Sequence, residues 1–254
     1  IQELARHPRE IRSVICSVGQ HREMLNQVLP LFGIRLDHDL DVMQPDQSLS
    51  QLTAALFTGL DRVIVEEEPD WVLAQGDTTS VFVASMVAYY RRVRFGHVEA
   101  GLRTGDKHRP FPEEINRRIA DLVSDLHFAP TERARQALLR EGCREADVHV
   151  TGNTVVDALN DVVARPYEWE SGPLAAIPRK EKLVLITAHR RESFGEPFRE
   201  LCLAIRDLSR RFQDEDVQFV YPVHLNPNVR KPVNDILSGL GNVSLVEPLD
   251  YLSL

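Results

Sequence analysis

The chain has little cysteine. Its three (Cys16, Cys143 and Cys202) are far apart and lack CxxC spacing, which excludes a disulfide framework or zinc knuckle and fits a reducing cytoplasm. No uninterrupted apolar run approaches the roughly 20 residues that span a bilayer, and the opening residues lack the basic-then-apolar pattern of a secretory signal. Basic excess is missing too. A net charge of −8 and a pI near 5.6 argue against a nucleic-acid partner. A small anion is another matter, because a phosphate about 4 Å from an arginine gains roughly 4 kcal/mol at a surface-like dielectric before desolvation. HExxH, dense Asp clusters and GxSxG are all absent, so local spacing offers no metal site and no nucleophile elbow. GxGxxG is missing too, but such a loop usually follows an opening strand that this sequence lacks, and its absence decides nothing about a cofactor.

What is present is alternation. Short β-branched runs at 11–18, 70–75, 93–98, 125–129, 147–150, 182–188, 217–223 and 242–248 predict strands. Longer amphipathic stretches at 49–67, 79–92 and 196–212 predict helices. The strands are apolar almost throughout, as parallel strands covered on both faces are. The pattern predicts an α/β protein of two Rossmann-like doubly wound domains, with a boundary near Gly152: residues 1–152, then residues 153–254. Both ends read as cut, since the chain opens on a short helix (IQELARH) that no strand precedes, and only about three strands are expected in the second domain. A fragment with a truncated second domain is the expectation.

The unusual residues follow the strands: GQHRE (19–23), GDTTS (76–80), EAGLR (99–103), TGNT (151–154), HRRESFG (189–195) and HLNPN (224–228). In open α/β sheets ligands bind beyond the carboxyl ends of the strands, where helix N-termini favour anions. Each cluster has a plainer reading. Asp77 is also a suitable N-cap for the helix at 79–92, and Glu113 and Glu114 also complement a helix dipole as first-turn acids. Glu99, a carboxylate at a buried strand end beside Ala and Gly, needs a partner or a task. His97 alternates onto the same side of its strand as Glu99 and could orient it. His189, followed by Arg190 and Arg191, reads as an anion site or a solvated charged turn, and His224 in HLNP fits either. His7, His38, His127 and His149 read as structural or solvated. Together the residue types suit acid–base chemistry on an anionic substrate.

QHREML, GDTTS, HVEAGLRTGD, PEEINR, TGNTVVDAL, HRRESFG and YPVHLNPNVR, in this order, resemble the non-hydrolysing UDP-N-acetylglucosamine 2-epimerases of bacteria. The resemblance runs from about Gln20 to the C-terminus. It implies a GT-B-like architecture and C2 epimerisation between UDP-GlcNAc and UDP-ManNAc by elimination and re-addition of UDP, with no cofactor and no metal. The family's catalytic positions fall on Asp77, Glu99, Glu113 and His189, and its substrate-binding positions on Arg103, Arg190, Arg191, Glu192 and Leu249. A second UDP-GlcNAc acting as activator would meet Gln20, Glu23, Arg190 and His224, and a homodimer is implied. The family's opening strand with its GTRPE-type loop, and its later DSGG segment, are not matched, so the resemblance implies a chain that carries the proton-transfer groups without the full UDP grip, and is inactive or barely stable by itself. A hydrolysing epimerase, a GT-B glycosyltransferase and an inactive sugar-nucleotide-binding protein share enough of these features to stay as alternatives.

Overall fold

A computed structural model of the chain describes residues 1–19, 22–188 and 194–254; the side chains of residues 22–24 and 26 fall outside that description. Gln20, His189, Arg190, Arg191 and Glu192 therefore lie outside the described residues, as does the side chain of Glu23. The chain divides into two compact units, Ile1–Ala164 and Arg165–Leu254. The sequence pattern places the boundary near Gly152. In the structure the helix after it is grouped with the first unit, where Thr154 Oγ1 donates to Gln75 Oε1 at 2.9 Å.

The first unit runs α1 (Gln2–Ala5), β1 (Cys16–Ser17), α2 (Arg22–Leu31), β2 (His38–Asp39), α3 (Leu49–Glu67), β3 (Trp71–Gln75), α4 (Thr79–Arg91), β4 (Arg94–Val98), α5 (Glu113–Val123), β5 (Leu126–Ala129), α6 (Glu132–Arg140), β6 (Val148–Val150) and α7 (Thr154–Val163). Strands β3-β4-β5-β6 form a parallel sheet in sequence order. The long run at 11–18 pairs as a strand only at Cys16 and Ser17, opposite His38 and Asp39 of β2. A strand is as long as its partner allows, and β2 is short and polar, which is why no apolar pattern announces it. β1 and β2 form a sheet of their own. A cavity of about 310 Å³ is lined by Val14, Cys16 and Val18 in and beside β1 and by Trp71 and Leu73 of β3.

Helix α3 shows how sequence sets the core. Ser48 and Gln51 close a capping box at its start, leaving few unpaired N–H groups in its first turn. Leu52, Leu56, Leu60 and Ile64 then repeat every fourth residue, so they share one face. That face packs on Val81, Val83, Ala84 and Val87 of α4 and on Phe95 of β4.

The second unit contains β7 (Lys182–Leu185), α8 (Glu196–Arg211), β8 (Val217–Pro222), α9 (Pro227–Leu237) and β9 (Val243–Val246), with a parallel sheet ordered β7-β8-β9. β8, in the middle, is almost wholly buried, while every residue of the edge strand β7 is exposed, contrary to the expectation of strands covered on both faces. Helix α9 has no counterpart in the sequence reading, because HLNPN reads as a loop. Pro227 sits in the helix's first turn, where a missing N–H is harmless, and Asn226 caps it through the N–H of Asn228 at 2.9 Å. Among the described residues no helix is long and apolar enough to cross a membrane.

Leu56 is fully buried in the first unit's core, and its truncation leaves a cavity. Leu56→Ala is expected to lower stability by about 2–5 kcal/mol, checked by urea unfolding.

Candidate active site

Asp77 follows β3 after a single glycine, Gly76, whose φ is 88°. It does not cap the next helix. Thr78 holds the capping position of α4 without a side-chain bond, and the Asp77 carboxylate turns instead toward α5. There Arg117 Nη1 donates to its Oδ2 at 3.1 Å, and Asn116 Nδ2 donates to its backbone carbonyl at 3.0 Å. Arg117 is shared with Glu114, which accepts from its Nη2 at 2.6 Å and from the backbone N–H groups of Thr104 and Gly105. Burial works against the Glu114 charge, but these donors outweigh it and hold the carboxyl below its ordinary value. Of the two adjacent glutamates, Glu114 thus serves the fold, fixing the loop before α5. Glu113, half-buried, opens the same helix one turn before the residues that hold Asp77.

Glu99 leaves the end of β4, the strand next to β3 in the sheet. The strand's alternation ends there: Glu99 has a φ of 70°, and its N–H and that of Ala100 both donate to the Phe128 carbonyl, at 3.0 and 3.1 Å. Gln75 Nε2 reaches Glu99 Oε2 at 3.3 Å. Gly101 must be glycine on two grounds. Its φ is 85°, and a Cβ there would lie 2.4 Å from the Ala134 carbonyl oxygen of α6. The GDTTS, EAGLR and TGNT clusters all follow strands of the one sheet, and Asp77, Glu99 and the start of α5 share its carboxyl edge.

Beneath this edge lies a second charged group. Asp121 of α5 is sealed from water. Its Oδ1 is 2.5 Å from His97 Nδ1, and its Oδ2 accepts from Gly101 N–H at 3.2 Å and Arg103 Nη2 at 2.7 Å. His97, also fully buried, reaches the Gly76 carbonyl with Nε2 at 2.7 Å. It does not orient Glu99, because the left-handed turn at Glu99 ends the alternation that would have put them side by side. Burial opposes both charges, but the paired hydrogen bonds and charges prevail: His97 is held above its ordinary pKa and Asp121 below. Among the described residues no three His, Cys, Asp or Glu side chains are grouped as metal ligands would be.

The sequence profile described as UDP-N-acetylglucosamine 2-epimerase matches residues 2–254. The chain belongs to this family. It is 49% identical over 244 residues to a probable UDP-N-acetylglucosamine 2-epimerase of Ralstonia solanacearum, covering 94% of this chain and 64% of that protein. It is 47% identical over 258 residues to the UDP-N-acetylglucosamine 2-epimerase of Escherichia coli K12, covering 99% and 68%. Among solved structures, the Neisseria meningitidis UDP-GlcNAc 2-epimerase bound to UDP-GlcNAc superposes with a TM-score of 0.87 at 45% identity, covering 99% of this chain and 68% of that one. The chain thus spans about two thirds of the length of the epimerases it matches, and with them it has the expected GT-B-like class of parallel α/β fold.

Within this epimerase family member, the remaining assigned residues fall in two groups. Arg103 is tied into the first unit. Its guanidinium bonds Asp121, both carboxylate oxygens of Glu141 and the Leu102 carbonyl. Leu249, in the second unit, packs on a small apolar cluster with Leu174, Ile177 and Val220. His224 follows β8, and its Nδ1 accepts the Asn226 N–H at 3.1 Å. It is the one assigned activator position whose side chain is described. Sequence reading missed Gln75, Asn116, Arg117 and Asp121. The available signal was on α5, where charges at 114, 117 and 121 recur every three or four residues and so share one face.

The Asp121–His97 pair gives stability a bell-shaped pH dependence. Asp121, its pKa depressed on folding, contributes above about pH 4 and loses that contribution on acidification; His97, its pKa raised, contributes below about pH 6.5 and loses it as pH climbs through its folded value. The stability difference between the native chain and Asp121→Asn should therefore peak between these limits and shrink on both sides, as read by chemical denaturation across the range.

Proposed function

We propose that the intact protein carrying this chain interconverts UDP-GlcNAc and UDP-ManNAc. One carboxylate takes the proton from C2 while the C1–oxygen bond to UDP breaks, leaving 2-acetamidoglucal. UDP then re-forms the bond at C1 as a proton returns to C2 on the opposite face. The observation that carries this reading is the placement of Asp77 and Glu99 at neighbouring strand ends, with Asp77 held by the helix that Glu113 opens. Acids on separate elements of one rim suit removal of a proton from one face and its return on the other, and support of positive charge at C1. The Neisseria relative's bound UDP-GlcNAc supports the substrate class.

His189, Arg190 and Arg191 complete the reading as the groups that hold the departing diphosphate, with Glu192 a further substrate-binding position and Leu249 nearer the base. Arg103, the remaining substrate-binding position, would act from the first unit, where its guanidinium also pairs with Asp121 and Glu141. A second UDP-GlcNAc acting as activator at Gln20, Glu23, Arg190 and His224, a homodimer, and a cytoplasmic setting in keeping with three free cysteines belong to the same proposal.

Turnover of UDP-GlcNAc in heavy water separates this reading from its rivals. Deuterium at C2 of recovered UDP-GlcNAc and UDP-ManNAc is the expected result. Free ManNAc would indicate the hydrolysing reaction, and no exchange would indicate a transferase or a binding protein. Asp77→Asn, Glu99→Gln and Glu113→Gln should each slow exchange by about 10²–10⁴-fold.

A further inference from the structure

We propose that His97, clamped by Asp121, is a positioning residue for Asp77: its Nε2–H fixes the Gly76 carbonyl and so the peptide that carries the Asp77 side chain to the rim. The inference rests on the reading of Asp77 as a reacting carboxylate.

A carbonyl oxygen only accepts, so His97 Nε2, 2.7 Å from Gly76 O, must carry the proton. Nδ1 faces a carboxylate whose second oxygen already accepts from Gly101 and Arg103, so the ring is held from behind and is not free to flip. Both His97 and Asp121 are sealed from water, so no solvent competes for these bonds.

The need for such a clamp follows from Gly76. Glycine gives the tight turn its left-handed backbone, but it is also the residue that most readily rotates away from any one conformation. The turn counters this by tying Gly76 at both ends. Its N–H donates to the Val98 carbonyl at 3.0 Å, and its own carbonyl is taken by His97. Asp77 is then held beyond the turn by Asn116 and Arg117. Without His97, the one peptide linking the strand to the acid would keep its glycine freedom and lose its anchor. Asn116, Arg117 and Asp121 lie on one helix, α5, which therefore grips the turn twice: directly at Asp77, and through His97 at Gly76.

The test uses the intact protein with His97→Ala and His97→Gln. A shift of about 1 Å in a reacting group costs on the order of 10²-fold, so His97→Ala should lower kcat by about that factor while KM stays within about threefold. The Gln amide N–H can reach the same carbonyl and should restore roughly tenfold of the loss; if the Ala variant does not fold, Gln carries the comparison. Unchanged kcat in His97→Ala, a parallel change of KM, or Gln no better than Ala would overturn the proposal. Crystal structures of the variants keep it distinct from the functional reading. Absence of exchange in the native protein sinks the epimerase reading alone, whereas a native Asp77–Arg117 contact in His97→Ala sinks the clamp.

Discussion

A carboxylate removed from water keeps its charge only where donors surround it, and the first unit is organised around one such group. Asp121 gathers an imidazole, a backbone amide and a guanidinium from three points along β4 and the loop that follows. None of these contacts is available unless β4, its loop and α5 are already in place. The hub therefore links the end of the strand to the helix and leaves the loop at 99–103 little freedom to drift. Arg103 in turn engages Glu141 just beyond α6, which extends the same grip to the outer part of the sheet.

Above this hub sits a smaller one, in which Arg117 divides its charge between Glu114 and Asp77. The two acids differ in surroundings. Glu114 is sealed and satisfied by the loop before its helix, whereas the Asp77 side chain is about a third exposed. On the proposed reading of Asp77, an acid for shape and an acid for chemistry are separated in this way, by water access and by the number of donors each meets.

Much of this was legible in sequence. Runs of Val, Ile and Leu punctuated by acids and glycines gave the alternation, and the strand-end position of Asp77 and Glu99 marked them as candidates. The misses have physical causes. Arg117 and Asp121 drew no notice, because helix periodicity says which residues share a side but not what that side meets. His97 looked like a companion of Glu99 because period-two alternation was carried one residue past the point where the backbone turns left-handed. Strand β2 and helix α9 were hidden by polar or proline-rich sequence, His-Asp in one case and Pro227 with Pro232 in the other.

The backbone at Glu99 has one more implication. Its φ of 70° is a region that glycine enters freely and other residues enter at about 1–2 kcal/mol. Swapping in glycine would relax the turn, yet it would also delete the acid. On the reading of Glu99 as a reacting carboxylate, a sturdier protein and a chemically competent one are different proteins at this position, and pressure toward thermal robustness would act against the reaction before it touched the core.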